Sequence, residues 1–208
     1  EIQLAPLERE HADALLASLL GADPSLVPLT ALLIEKTEGN PLFLEECLRG
    51  LVESNALVGK PGAYRLTASA SRLRVPASVH AIIAARIDRL APEDKAVLQV
   101  AAVIGKTIPW TLLIAVADLG EAELHAALGR LHSAEFIVEG QLLPDLEYTF
   151  RHVLMHDVAY ASLLQERRCS LHGRVLAAIE RLYGHRLTEH AEALGHHAMQ
   201  GQRWKEAV

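Results

Sequence analysis

The chain has 208 residues, half of them apolar, 4% aromatic, with a net charge of −6. This composition excludes a disordered chain and gives enough apolar surface for one or two packed domains. No apolar stretch of about 18 residues runs without a charge, and no basic, apolar and small-residue sequence opens the chain, so neither a membrane-spanning helix nor a signal peptide is expected and the expected site is cytoplasmic.

Leu and Ala dominate and β-branched runs are short, so helices are expected to prevail. From residue 7, "LEREHADALLASLLG" places Leu7, Ala12, Leu15, Leu16, Leu19 and Leu20 at helical spacing and stops at Gly21. A second helix is predicted from about Ser25 to Thr37. The sequence then reads EGNPLFLEE over Glu38–Glu46, where Gly39 can take a left-handed conformation, Asn40 can cap, and Pro41 fits the first helical position. The third helix fades near Asn55. After it, "ALVGKPGAYRL" sets a Gly/Pro turn between two short apolar runs, a small hairpin.

Helical text resumes after Pro76, with helices predicted at about Ala77 to Leu90, Pro92 to Ile104, Pro109 to Ala117 and Glu121 to His132, then a hairpin of "EFIVEG" and "LEYTF". Three helices followed by a two-stranded wing describe a winged-helix domain. DNA binding is the obvious use of such a domain, but Pro92 to Phe150 carries nine acids against Lys95, Lys106 and Arg130. The predicted recognition helix, "EAELHAALGRLHSA", opens on two acids. Phosphate binding needs clustered Lys and Arg, so the domain is expected to make protein or intramolecular contacts instead.

The last part, "RHVLMHDVAYASLL", "RRCSLHGRVLAAIERLYG" and "LTEHAEALGHHAMQGQRWKEAV", reads as helices joined by short breaks. Trp204 and Ala207 after "GQ" resemble the opening of a tetratricopeptide repeat, which would need further repeats downstream. The start at Glu1 and the stop at Val208 inside a helical pattern suggest a piece of a longer protein.

The stretch "LLIEKTEGNPLFLEECLRGLVE" closely resembles the helical lid of signal-transduction ATPases with numerous domains, the STAND class of the AAA+ superfamily. "YTFRHVLMHDVAYASLLQERRCSLHGRV" resembles the junction of winged helix and repeats in bacterial ATPase modules fused to class III adenylate or guanylate cyclases and in LuxR-type regulators. "VPASVHAIIAARIDRLAPEDKAVLQVAAVIG" extends the likeness over essentially the whole chain. The resemblance implies a mainly α fold in three parts: a lid over 1–74, a winged helix with a small β-hairpin wing over 75–164, and the start of a TPR-like α-solenoid over 165–208. It implies ATP or ADP with magnesium, held mainly by an upstream P-loop core. It also implies an attached effector, downstream repeats and homo-oligomerisation in the ATP state. Nucleotide contacts would fall to Gly39, Asn40 and Pro41 at the adenine and to His152 at the β-phosphate. LuxR-type transcriptional regulation and a purely structural helical scaffold are the alternatives.

Several look-alikes are set aside. Met155, His156 and Asp157 spell the Met-His-Asp motif of related ATPases, but the family histidine ends the wing strand, where this chain has His152. Gly105, Lys106 and Thr107 imitate the end of a P-loop without its first glycine, Val100 standing there. His152 and His156 lack a third metal ligand, and His185, His190, His196 and His197 are expected to spread over more than one helical face. Cys47 and Cys169 are expected to be free thiols. No catalytic set and no metal site is expected, and the chain by itself should neither hydrolyse ATP nor make a cyclic nucleotide.

Overall fold

The computed structural model describes residues 6–67, 73, 76–140 and 146–203. Within them the chain forms ten α-helices and two small antiparallel sheets. Trp204 and Ala207, the residues of the expected repeat opening, lie outside the described residues. The chain divides into two compact units, residues 1–86 and 87–208.

In the first unit, α1 (Arg9–Leu20) buries Ala12, Leu16 and Leu20, one residue per turn along a single stripe. The predicted helix from Ser25 opens as a 3-10 turn at Pro24–Leu26, because Asp23 accepts a hydrogen bond from the Ser25 N–H and tightens it, and α2 (Val27–Thr37) follows. α3 (Pro41–Glu53) turns Phe43, Leu44, Cys47, Leu48 and Leu51 onto the Leu16, Leu29 and Leu33 core. The predicted hairpin forms as β1 (Leu57–Lys60) and β2 (Ala63–Leu66), with Leu57 opposite Leu66 and a Pro61–Gly62 turn. α4 (Val79–Asp88) is shorter at both ends than the periodicity suggests, since the Ser78 hydroxyl accepts from Ala81 N–H and caps it there.

α4 brings Arg86 fully inside, where it pairs with the equally buried Glu46 and donates from Nε to Glu53 at 3.0 Å. A buried guanidinium is tolerated only when its charge and donors are met, and Glu46 with Glu53 meets them. The expected cost of Arg86→Ala is about 3–5 kcal/mol, because it strands the Glu46 carboxylate without a cation. The double change Glu46→Leu with Arg86→Met should recover most of that loss. Denaturant unfolding of both variants checks this.

In the second unit, α5 (Pro92–Ile104) matches its predicted bounds: Pro92 starts it, Glu93 and Asp94 sit on its positive end, and Gly105, at φ 144°, ends it. A strand not expected from the sequence follows. β3 (Thr107–Pro109) puts Ile108 into the core opposite Tyr148, and Pro109 ends it at a sheet edge where its missing N–H costs little. α6 (Trp110–Val116) and α7 (Glu121–Ser133) come next, then β4 (Ile137–Glu139) and β5 (Glu147–Phe150), in sheet order β3-β5-β4. The Gly105-Lys106-Thr107 look-alike thus runs into a strand and has no phosphate cradle.

α8 (Val153–Ala161), α9 (Gln165–Tyr183) and α10 (Ala191–Gln200) complete the unit, with a 3-10 turn at Leu187–His190. A separate segment was expected to begin at 165. In the structure α9 packs on α5 and α6, with Arg174 gripping both Asp118 oxygens at 2.7 Å and also bonding the Val116 carbonyl, within the unit of 87–208.

Candidate functional site

The corner between α2 and α3 is built by the backbone. Glu38 and Gly39 both take left-handed conformations, φ 51° and 75°, so the helix ends one residue earlier than a lone glycine stop. Gly39 is buried, and a Cβ there would stand 2.2 Å from the Leu7 carbonyl oxygen. The Leu7 N–H donates to the Gly39 carbonyl at 2.8 Å, tying the chain before α1 to the corner. The Asn40 side chain accepts from Phe43 N–H at 3.1 Å, and Pro41 occupies the first turn with its ring exposed. Gly39, Asn40 and Pro41 therefore form one rigid feature, with the apolar Pro41 ring available on its surface.

His152 belongs to the second unit. It is the N-cap residue of α8, in extended conformation at the end of β5, and its ring makes no cap hydrogen bond to the helix. The ring is thus not spent on the helix it precedes. His156 lies one turn inside α8, where Nδ1 is 2.9 Å from the Asp157 carboxylate and the ring packs edge-on against Phe150.

The second unit also contains an open cleft of about 780 Å³, lined by residues of α5, α8 and α9, the 3-10 turn and α10, among them His156, Asp157, Tyr160, Arg168, His196 and His197. At this cleft His172 on α9 meets His196 and His197 on α10, their ligand-capable atoms all within 4.8 Å of one another. His172 and His197 are buried and face each other through Nδ1 at 2.8 Å, while the other nitrogen of His172 contacts the Tyr160 hydroxyl at 2.9 Å. Arg168 lies over the Tyr160 ring at 4.4 Å and donates to the Tyr160 and Leu163 carbonyls, leaving its Nε without a partner.

Burial, then the neighbouring His196 and Arg168, holds the His172 pKa down to about 4. Burial and the adjacent His172 and His196 hold His197 down to about 3. Both imidazoles are neutral at pH 7, and the two facing Nδ1 atoms share one proton between them. In the first unit the buried Cys47 thiol is pushed up to about 12, which makes it inert, and both cysteines are free thiols.

The sequence reading spread the C-terminal histidines over several helical faces and left out His172. Two of them, His196 and His197, in fact converge on it. The available signal was the HH doublet 24 residues after His172 on the next helix, since short breaks fold consecutive helices against each other. Arg168 and Tyr160 follow as partners one turn from His172 and from His156. No protein-family model matches this chain, and no curated protein matches it in sequence.

The depressed histidine pKa values fix a pH dependence. Both folded values lie below the ordinary value of about 6.5, so the unfolded chain takes up the protons first as pH falls. Stability is therefore retained above about pH 6.5 and lost on acidification down to about 4 for His172 and about 3 for His197. Between pH 7 and pH 5 the loss should be about 1–2 kcal/mol per histidine. Chelator-treated protein unfolded in denaturant at both pH values should show it, and the double variant His172→Asn with His197→Asn should flatten it.

Proposed function

We propose that this chain is the lid, winged-helix and repeat-start portion of a STAND-type signal-transduction ATPase, a nucleotide-dependent switch regulating an attached nucleotide cyclase. The observation that carries the reading is the Gly39–Pro41 corner, a rigid turn that leaves an exposed apolar ring where the resemblance calls for an adenine contact. The order α5, β3, α6, α7, β4, β5, with β5 central in the sheet, agrees with a winged helix. ATP or ADP with magnesium would be held mainly by a P-loop core in the same parent chain. Pro41 would pack on the base, and His152, at a helix start where its ring makes no cap hydrogen bond, would donate to the β-phosphate. ADP would keep the parent closed, and exchange for ATP would free it to open, assemble through further repeats and act on its effector.

A transcriptional reading finds less support. The first turn of α7 carries Glu121 and Glu123, and Arg130, its one arginine, is engaged by both Asp94 oxygens at 2.7–3.1 Å. A surface so charged has few cations to offer a phosphate backbone. Among the described residues no helix is long and apolar enough to cross a membrane.

The test is ADP release from the parent ATPase carrying its own P-loop core. Pro41→Ala and His152→Ala should each speed release about tenfold, the equivalent of about 1.4 kcal/mol, and His152→Ala should raise basal effector output. His156→Ala should lower stability only. An effect confined to His156 would move the phosphate contact to the Met155-His156-Asp157 trio, and unchanged release in Pro41→Ala would remove the corner from the site.

A further inference from the structure

We propose that His172, His196 and His197 form a zinc(II) site that clips α9 to α10. The ring centres of the three histidines are 5.0, 5.2 and 5.6 Å apart, close to an equilateral triangle. Imidazoles bound to zinc at about 2.0–2.1 Å in a tetrahedron place their ring centres roughly 5.2 Å apart, so the backbone already sets the rings at the spacing a shared ion requires. His172 and His197 point Nδ1 at Nδ1 across 2.8 Å, two nitrogens that can hold only one proton between them in the neutral state. An ion entering there replaces that proton as the shared partner. The displaced proton moves to the other nitrogen of His197, so both rings stay neutral. The pair opens by about half an ångström toward the roughly 3.3 Å separation of tetrahedral ligands. The exposed His196 ring closes the third position by rotating about its side-chain bonds.

The surroundings fit a ligand role. With Nδ1 on the metal, the Nε2–H of His172 donates to the Tyr160 hydroxyl at 2.9 Å, the kind of contact that fixes the tautomer of a metal-binding histidine. The opposing charge is Arg168, whose Nη2 donates to the Tyr160 and Leu163 carbonyls. Asp157, Glu189 and Glu192 on the same cleft offset it. Three imidazoles and no thiolate suit zinc or its neighbours in the first transition row over calcium or magnesium. The fourth position is left to solvent from the cleft. Because the ligands come from two consecutive helices, the ion would stabilise their packing whatever nucleotide the first unit handles.

The experiment uses the 208-residue chain itself. Zinc chloride titrated by calorimetry after chelator treatment should bind with one-to-one stoichiometry and raise the melting temperature, and cobalt(II) in its place should give the intense visible absorption of a tetrahedral site. His197→Ala removes a buried ring and can unfold the chain, so the decisive variant is His196→Ala, which loses only an exposed side chain. It should keep the helical circular dichroism and weaken zinc binding about tenfold or more, while His185→Ala leaves binding unchanged. No binding, a cobalt spectrum of the hydrated ion, or equal affinity in His196→Ala would overturn the proposal.

Discussion

The α2–α3 corner of the first unit depends on the close approach of Gly39 to the Leu7 carbonyl. A methyl group at that α-carbon would come within 2.2 Å of the oxygen, so no other residue keeps both the corner and the segment before α1 where they are. The close approach lets the Leu7 amide reach the Gly39 carbonyl, fixes where α2 stops, and sets the start of α3 at Pro41. The direction of α3 in turn decides which of its residues point inward. Leu44 and Cys47 meet the α1 and α2 stripes, and Glu46 is carried under cover to the buried Arg86. An exposed proline ring thus rests on a chain of consequences that begins with a missing side chain.

The second unit is organised by different means. Its small sheet is held by Ile108, Ile137 and Phe150 in a common core, and its helices are tied by charge pairs at their edges, Asp94 with Arg130 and Asp118 with Arg174. Such pairs with one exposed partner add modest stability and mainly fix geometry. Besides the buried Asp94, polar groups enter its described interior in the stack from His156 through Tyr160 and His172 to His197, which lies beside a cleft. Buried, uncharged imidazoles paired beside a cleft, one of them, His197, lining it, are unusual packing material, and a functional role is the physical reason to look there first.

Much of the helical skeleton was legible because local chemistry marks its ends. Pro92 with its two following acids and Gly105 bracket α5 to the residue, and Asn40-Pro41 does the same for the start of α3. The ends drifted where a side chain outside the periodic pattern intervened, as Asp23 did before α2 and Ser78 before α4. The strand β3 was not legible. It is three residues long, its pairing partner lies about 40 residues downstream, and its first residues imitate a phosphate loop. The geometry of the corner was legible because caps are local, and a family resemblance named it as a candidate site. The histidine cluster was not, since nothing along one strand of text says that the faces of α9 and α10 meet at His172.

The proposed nucleotide switch requires a base resting against the Gly39–Pro41 corner, and that contact can be read directly. The proposed parent ATPase, loaded with a photoreactive azido-adenine analogue of ADP and irradiated, can be digested and the labelled peptide sequenced. The account predicts label on the peptide containing Glu38–Glu46, suppressed by excess ADP. Efficient labelling of the core with none on that peptide would contradict it.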